Sequence, residues 1–176
     1  NEIFKKLENK SNYKKRYSDI RKFNEKNRFK KKGIAITPLK FGISFTTIHL
    51  NQAGALVHIY TDGSVHLNHG GIEMGQGTHT KIAQIVANSL GLPYSLVHIS
   101  STNTAKVPNT SASAASSTTD LNGAAALNAV AKIKLNLEKF IKKKYKIYNQ
   151  EAVYKDQYII FGNRQFEFKS IIQEAY

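Results

Sequence analysis

The stretch Gly54–Gly70, GALVHIYTDGSVHLNHG, leaves little choice of local fold. Two segments of similar length, rich in β-branched and aromatic residues, flank Asp62-Gly63, a dipeptide that tolerates positive φ, and the predicted product is an antiparallel hairpin. The residues that follow, GGIEMGQGTHTK, set Gly70, Gly71, Gly75 and Gly77 around Glu73, Met74 and Gln76 and lead into Thr78–Leu90. There Ile82, Ile85, Val86 and Leu90 share one helical face, and Gly91 and Pro93 end the helix. Glycine permits unusual turns and lets a ligand approach the main chain, while a helix N-terminus presents free N–H groups and a partial positive charge. The glycine cluster therefore reads either as a tight strand-to-helix turn or as a seat for an anion.

The remaining elements follow from periodicity. Ile3, Phe4 and Leu7, then Tyr13, Tyr17, Ile20 and Phe23, recur at spacings of three and four, predicting two helices broken near Asn9–Asn12. GIAITPLKFGISFT, from Gly33 to Thr46, predicts a strand pair interrupted at Pro38 and forming a buried edge. SLVHIS, Ser95–Ser100, predicts a strand. The long Ser100–Thr119 stretch that follows is too polar and small-chained for core, and is either linker or binding loop. Leu127, Val130, Ala131, Ile133, Leu137 and Ile141 predict a mostly buried helix over Asp120–Tyr145, whose Ser/Thr/Asp-rich start faces the first loop system. Tyr158–Phe168 predicts a hairpin around Gly162-Asn163, and Ser170 with Gln173 a capping box opening a last helix. The expected class is α+β, with mixed layers of β-hairpins or strands and amphipathic helices.

The net charge of +14 is concentrated: 13 of the 26 Lys and Arg, but only 4 of the 12 Asp and Glu, lie in residues 1–32. We divide the chain into a basic helical segment, 1–32, and a partial domain, 33–176. A basic helical face more often serves solubility or contact with an acidic partner than nucleic acid, and no nucleic-acid motif accompanies it. No apolar run approaches a membrane span, no signal-peptide pattern opens the chain, and the first residue is Asn, so a piece of a longer cytoplasmic protein is expected. The absence of cysteine excludes zinc-thiolate sites and iron–sulfur ligation by this chain. His66, His69 and His79 with Glu73 are conceivable metal ligands. However, His66 and His69 point to opposite faces of a strand, and a structural role is expected for most of the histidines. Neither GxSxG, SxxK nor GxxxxGK[ST] occurs. Two glycine- or serine-rich loops, each opening a helix, still point to a phosphate-bearing ligand held from two sides.

Taken together, FGISFT, LNQAGALVHIYTDGSVHLNHGGIEMGQGTHTK and STNTAKVPNTSASAASSTTDLNGAAALNA resemble the molybdenum-cofactor-binding portion of the xanthine dehydrogenase and xanthine oxidase family, over about Phe23 to Phe140. The resemblance implies a molybdenum–molybdopterin cofactor wrapped by the stretch Glu73-Met74-Gly75-Gln76-Gly77, with Met74, Gly75, Gln76 and Gly77 as the binding residues and the Gln76 side chain near the molybdenum oxo group. It implies that Ala115, Ser116, Ser117 and Thr118 bind the pterin and its phosphate. Phe45 and Thr46, with Ala114 and Ala115, would contact a purine substrate. The implied activity is water-derived hydroxylation of hypoxanthine to xanthine and of xanthine to urate. Iron–sulfur clusters and FAD are implied on other domains or subunits, which are the expected partners along with the purine. The general-base glutamate of the family lies in a Gly-Glu-Pro-Pro context that this chain lacks, so the segment alone is expected to be inactive. Ser117 stands where valine is common, Ala112 where proline is frequent, and Thr47-Ile48-His49 where Val-Pro-Phe is usual. An aldehyde-oxidising relative and a basic RNA- or partner-binding module are the alternatives.

Overall fold

The computed structural model describes residues 2–43, 45–106 and 109–176, which form two compact units, Asn1–Gly42 and Ile43–Tyr176. In the first, α1 (Glu2–Lys10) and α2 (Tyr13–Lys26) are separated at Ser11–Asn12, as the spacing predicts. Asn12 makes the break with φ of 51°, a left-handed conformation that asparagine tolerates better than most residues. Neither helix buries a residue within its unit. Past α2, the Asn24 side chain accepts from the Lys32 amide at 2.8 Å and donates to the Lys32 carbonyl at 2.9 Å, folding the basic tail back on the helix.

The strand pair expected over Gly33–Thr46 does not form among the described residues; Ser44 lies outside them. Leu39 is 91% exposed and Phe41 72%, so the expected buried edge is absent too. β-branched content alone cannot hold a strand. It needs a ladder partner and a covered face, and an isolated two-stranded ribbon is marginal in water.

In the second unit β1 (Ala55–Ile59) and β2 (Val65–His69) form the expected hairpin, in the register Val57↔Leu67 and Ile59↔Val65. Its turn is closed by the Asp62 carboxylate, which accepts from the Ser64 amide at 2.9 Å and the Ser64 hydroxyl at 2.6 Å. The chain then runs through α3 (Thr78–Leu90) to β3 (Val97–Ile99), which pairs parallel with β2. A parallel pair requires such a crossover, so the helix after the glycine cluster is held between two strands of one sheet. The long helix α4 (Thr118–Tyr145) packs against α3 and β1.

A second sheet of β4 (Val153–Lys155), β5 (Tyr158–Phe161) and β6 (Arg164–Glu167) turns through Gly162-Asn163 and is followed by α5 (Phe168–Ala175). Helix α5 starts earlier than the Ser170–Gln173 box requires. Glu167 is its N-cap residue, and Ser170 instead donates its hydroxyl to the Glu167 carboxylate at 2.6 Å. The buried Phe168 side chain sets the start, because it must face the core from the first helical position.

The core joins Val57, Ile59, Val65 and Leu67 of the first sheet to Ile82, Val86 and Leu90 of α3 and to Val130, Leu137 and Ile141 of α4. Each such side chain contributes about 1.5–3 kcal/mol on burial. The buried stripe of α4 begins with Asn122, Gly123 and Ala126, whereas Leu127 is 42% exposed and Ala131 is exposed, contrary to the expected pattern. The helices approach closely here: a Cβ at Gly123 would lie 2.9 Å from Ile85 Cδ1, so a larger side chain at this position would have to displace the end of Ile85. The architecture is α+β, as expected, with a β2–α3–β3 crossover that the hydrophobic pattern alone does not reveal.

Candidate functional site

The glycine cluster serves two separate needs. Gly75 and Gly77 have φ of 94° and 77°, and at neither would a Cβ meet anything closer than 4.0 Å, so it is backbone conformation that requires glycine there. At Gly70 a Cβ would collide with Thr110, and at Gly71 it would lie 2.8 Å from Thr118 Cγ2, so close packing requires glycine there. This second pair brings the two loop systems together. The Ile72 amide donates to Ser113 Oγ at 2.7 Å, and Thr102 donates its hydroxyl to the Gly71 carbonyl at 2.8 Å.

The anion at the α3 N-terminus is the chain's own. Glu73 accepts from the amides of Gly75 at 2.8 Å, Gly77 at 3.0 Å and His79 at 2.9 Å. The bonds from His79 and Gly77 hold its pKa down to about 2. Gln76 folds over the same loop, accepting from the Met74 amide at 2.6 Å and donating to the Ile72 carbonyl at 2.8 Å.

The N-terminus of α4 is arranged differently. Ser117, at the N-cap, makes no side-chain capping bond, and its hydroxyl donates to the Ala114 carbonyl at 3.0 Å. The amides of Thr118, Thr119 and Asp120 precede Leu121, whose N–H to Ser117 makes the first bond of the helix, and so lack intrahelical acceptors. Before them Ala115 and Ser116 have φ of 52° and 56°, a left-handed conformation costing roughly 1–2 kcal/mol for each side-chain-bearing residue. Such a turn exposes successive amides to one side.

Between the two helix ends lies a cavity of about 410 Å³. Met74, Gln76 and Lys81 line one wall and Ala115, Ser116 and Thr118 the other, with Ala114 also at its edge. No acidic side chain lines it among the described residues, and the Lys81 ammonium donates to the Gln76 carbonyl at 3.0 Å. The wall is donor-rich and electropositive, suited to an anionic ligand with many acceptors. Gly75 and Gly77 shape the loop without lining the cavity. Ser117, 7% exposed, lines a neighbouring cavity of about 260 Å³ instead, together with Phe45, Leu50 and Ala112. Thr46, exposed in the next bend, lines neither cavity. The Phe45 side of the second cavity is tied to the loop by Gln52, whose amide donates to Ser111 Oγ at 2.8 Å and whose carbonyl accepts from the Ser111 amide at 2.9 Å. Val107 and Pro108, within the predicted Ser100–Thr119 loop, lie outside the described residues.

Three features were not foreseen. Lys81 stands four residues after Gly77, on the first turn of α3, a spacing that could have marked it. The Glu73 clamp depends on loop conformation and has no sequence signal of its own. The third is a contact between His69 and His79, whose rings meet edge to face at 5.0 Å, while His66 pairs with His58 across the hairpin. His69 is 2% exposed, and burial, reinforced by His79, lowers its pKa to about 4. Neutral at pH 7, it accepts the Gly71 N–H at Nδ1 at 3.1 Å and so carries its proton on Nε2.

Comparison with known proteins places these features in a family. The chain is 59% identical to the xanthine dehydrogenase/oxidase of Gallus gallus over 128 residues, 73% of this chain and 9% of that protein. It is 57% identical to the xanthine dehydrogenase of Dictyostelium discoideum over 129 residues, 73% of this chain and 10% of that protein. The chain thus spans about a tenth of the length of the curated relatives it matches. Among solved structures, a reconstituted CO dehydrogenase from Oligotropha carboxidovorans aligns with a TM-score of 0.65 and 25% identity, over 72% of this chain and 16% of that one. Quinoline 2-oxidoreductase from Pseudomonas putida 86 shares the fold, with a TM-score of 0.59 and 22% identity over 70% of this chain and 16% of that one. The family model of the molybdopterin cofactor-binding domain matches residues 6–176. A match of that extent leaves one assignment: the chain belongs to the molybdopterin cofactor-binding domain family.

Proposed function

We propose that the chain holds the pterin and phosphate of a molybdenum–molybdopterin cofactor in the 410 Å³ cavity and forms one wall of a purine site, within a molybdenum hydroxylase that converts hypoxanthine to xanthine and xanthine to urate. The observation that carries this reading is the convergence of the open α4 end, the Lys81 ammonium and the Ser116 and Thr118 hydroxyls on one cavity free of acidic lining. Molybdopterin has a phosphate and a ring system rich in hydrogen-bonding groups, and that donor set fits it. Met74, Gly75, Gln76 and Gly77 form one side of the cradle. Ala115, Ser116 and Thr118 form the other, with Ser117 behind them at the α4 N-cap, and Gln76 would stand nearest the metal.

When bound, the molybdenum centre supplies the hydroxylation chemistry, with water as the oxygen source. The chain's own residues bind, orient and exclude water. The amides at the start of α4 and Lys81 hold the anionic end without reorganising, and the bond between Ile72 and Ser113 keeps the walls in register. Phe45, Thr46, Ala114 and Ala115 are the proposed purine contacts, an aromatic ring for a flat substrate and a hydroxyl for a heterocycle oxygen. Iron–sulfur clusters and FAD on other domains or subunits would carry the electrons away; this chain has no cysteine with which to ligate a cluster. We assign the basic stretch 1–32 a role outside the cofactor site, residues 33–176 to the cofactor-binding part, and the protein to the cytoplasm.

The test uses the intact protein that contains this chain. Pterin released by oxidation is quantified by fluorescence and compared with bound molybdenum. Wild-type protein should carry both, and Lys81→Met should lower occupancy, since a charge-assisted hydrogen bond contributes about 1.5–3 kcal/mol. Wild-type protein free of pterin, or Lys81→Met with full occupancy at limiting cofactor, refutes the assignment of this cavity.

A further inference from the structure

Glu73 stands beside the proposed cofactor cavity, yet both its oxygens are committed to the chain itself. One accepts from Gly75 and Gly77 and the other from His79, reaching two, four and six residues ahead. It is intermediate in burial and does not line the cavity. A carboxylate so bonded, with a pKa near 2, has no proton to donate at neutral pH and little basicity with which to take one. Proton transfer is therefore not its task.

Two consequences follow from its position. The first is mechanical. The Met74–Gly77 segment is held by the Glu73 carboxylate, the Gln76 amide and the Lys81 ammonium on the Gln76 carbonyl; of these the carboxylate takes the amides of Gly75 and Gly77, glycines at positive φ that could otherwise adopt many other conformations. Without the carboxylate, Met74 and Gln76 lose the constraint that keeps them at the cavity wall. The second is electrostatic. Two helix N-termini approach one cavity, and each by itself attracts an anion. At α3 the Glu73 carboxylate sits on the His79 amide as a fixed negative charge, which repels a second one. At α4 the first-turn Asp120 accepts from no terminal amide among the described residues and does not line the cavity.

We propose that Glu73 is a positioning residue for the cofactor: it fixes the Met74–Gly77 wall and, by filling the α3 terminus with charge, directs the anionic end of an elongated ligand to α4. This rests on the reading given under Proposed function, and both parts concern binding and orientation. Removing the carboxylate frees the α3 amides of Gly77 and His79, which then compete with α4 for the phosphate.

The experiment compares wild type, Glu73→Ala and Glu73→Gln in the intact protein. It measures pterin content, the near-ultraviolet and visible circular dichroism of the bound cofactor per mole of pterin, and the Tm of cofactor-free protein. Glu73→Ala should reduce pterin content at least tenfold, with altered dichroism in the fraction that remains. Glu73→Gln keeps one acceptor oxygen for Gly75 and Gly77 and should recover part of the content. If Glu73→Ala does not fold, the dichroism of Glu73→Gln carries the test, because a merely structural role would leave the signal per bound pterin unchanged. Wild-type content with unchanged dichroism in either folded variant overturns the proposal while leaving the cavity assignment intact. Wild-type protein without pterin overturns both.

Discussion

Helices α3 and α4 begin within one cavity's width of each other, but their N-termini are finished in opposite ways. At α3 a carboxylate folded back by the preceding turn accepts from the first-turn His79 amide and from the Gly75 and Gly77 amides just before the helix, placing a fixed negative charge there. The α4 end, preceded by two left-handed non-glycine residues, leaves the amides of Thr118, Thr119 and Asp120 without intrahelical acceptors. The difference shows that a glycine-rich approach to a helix does not by itself make an anion site. What matters is whether the chain supplies its own anion. The glycine loop, which by residue pattern is the more obvious phosphate seat, is the occupied one, and the alanine- and serine-rich loop is the open one.

The sharpest way to break this comparison is to give α4 the device that α3 has. Ser117→Asp places a carboxylate at the α4 N-cap, where its negative charge beside the first-turn amides should compete with the proposed cofactor phosphate. Pterin content should fall at least tenfold, more than any fall in the Tm of cofactor-free protein accounts for. Retained content would mean that the phosphate does not sit at α4.

Next in size is Gln76→Ala. Its side chain is exposed and makes two bonds to its own loop, so its loss should cost roughly 0.5–1.5 kcal/mol of stability per bond at most. The proposed turnover of xanthine by the intact protein should fall by a larger factor than that energy represents. Equal losses in activity and stability would make Gln76 a brace of the turn and no more.

The smallest effect is on acid stability. Glu73 has its folded-state pKa lowered from 4.5 to about 2, so its contribution is fully present above about pH 4.5 and is lost as pH falls toward 2. Scanning calorimetry of cofactor-free protein should therefore show Glu73→Gln melting below wild type at pH 6, with the gap closing toward pH 2. A gap that does not depend on pH would mean that the carboxylate's charge contributes nothing to the folded state.

Residue patterns were decisive for most local structure, the start of α5 excepted. The hairpin about Asp62-Gly63, the break at Asn12, the end of α3 at Gly91 and the turn at Gly162-Asn163 are set by residues within a few positions of one another, and their turn chemistry is visible in the chain. Of the site residues that the resemblance implies, Met74, Gln76, Ala114, Ala115, Ser116 and Thr118 line one cavity, whereas Phe45 and Ser117 line its neighbour and Gly75, Gly77 and Thr46 line neither. Pattern failed where a partner is required. Gly33–Thr46 has strand composition and no strand among its described residues, because a ladder needs a second chain segment beside it. The Leu127 and Ala131 positions of α4 looked buried by apolar count, but the real contact with α3 runs through Gly123 and Ala126, and small residues carry no hydrophobic signal.

The sequence by itself determined the turns, the end of α3, the α+β class and, through family resemblance, the ligand class. Only the tertiary structure decided which helix end is open. That choice depends on where Glu73 Oε1 and Oε2 come to rest and on Gly70 and Gly71 admitting Thr110 and Thr118 to close contact. The physical reason is that an amide's availability depends on which acceptors three-dimensional packing brings within about 3 Å of it, and spacing along the chain does not encode that distance.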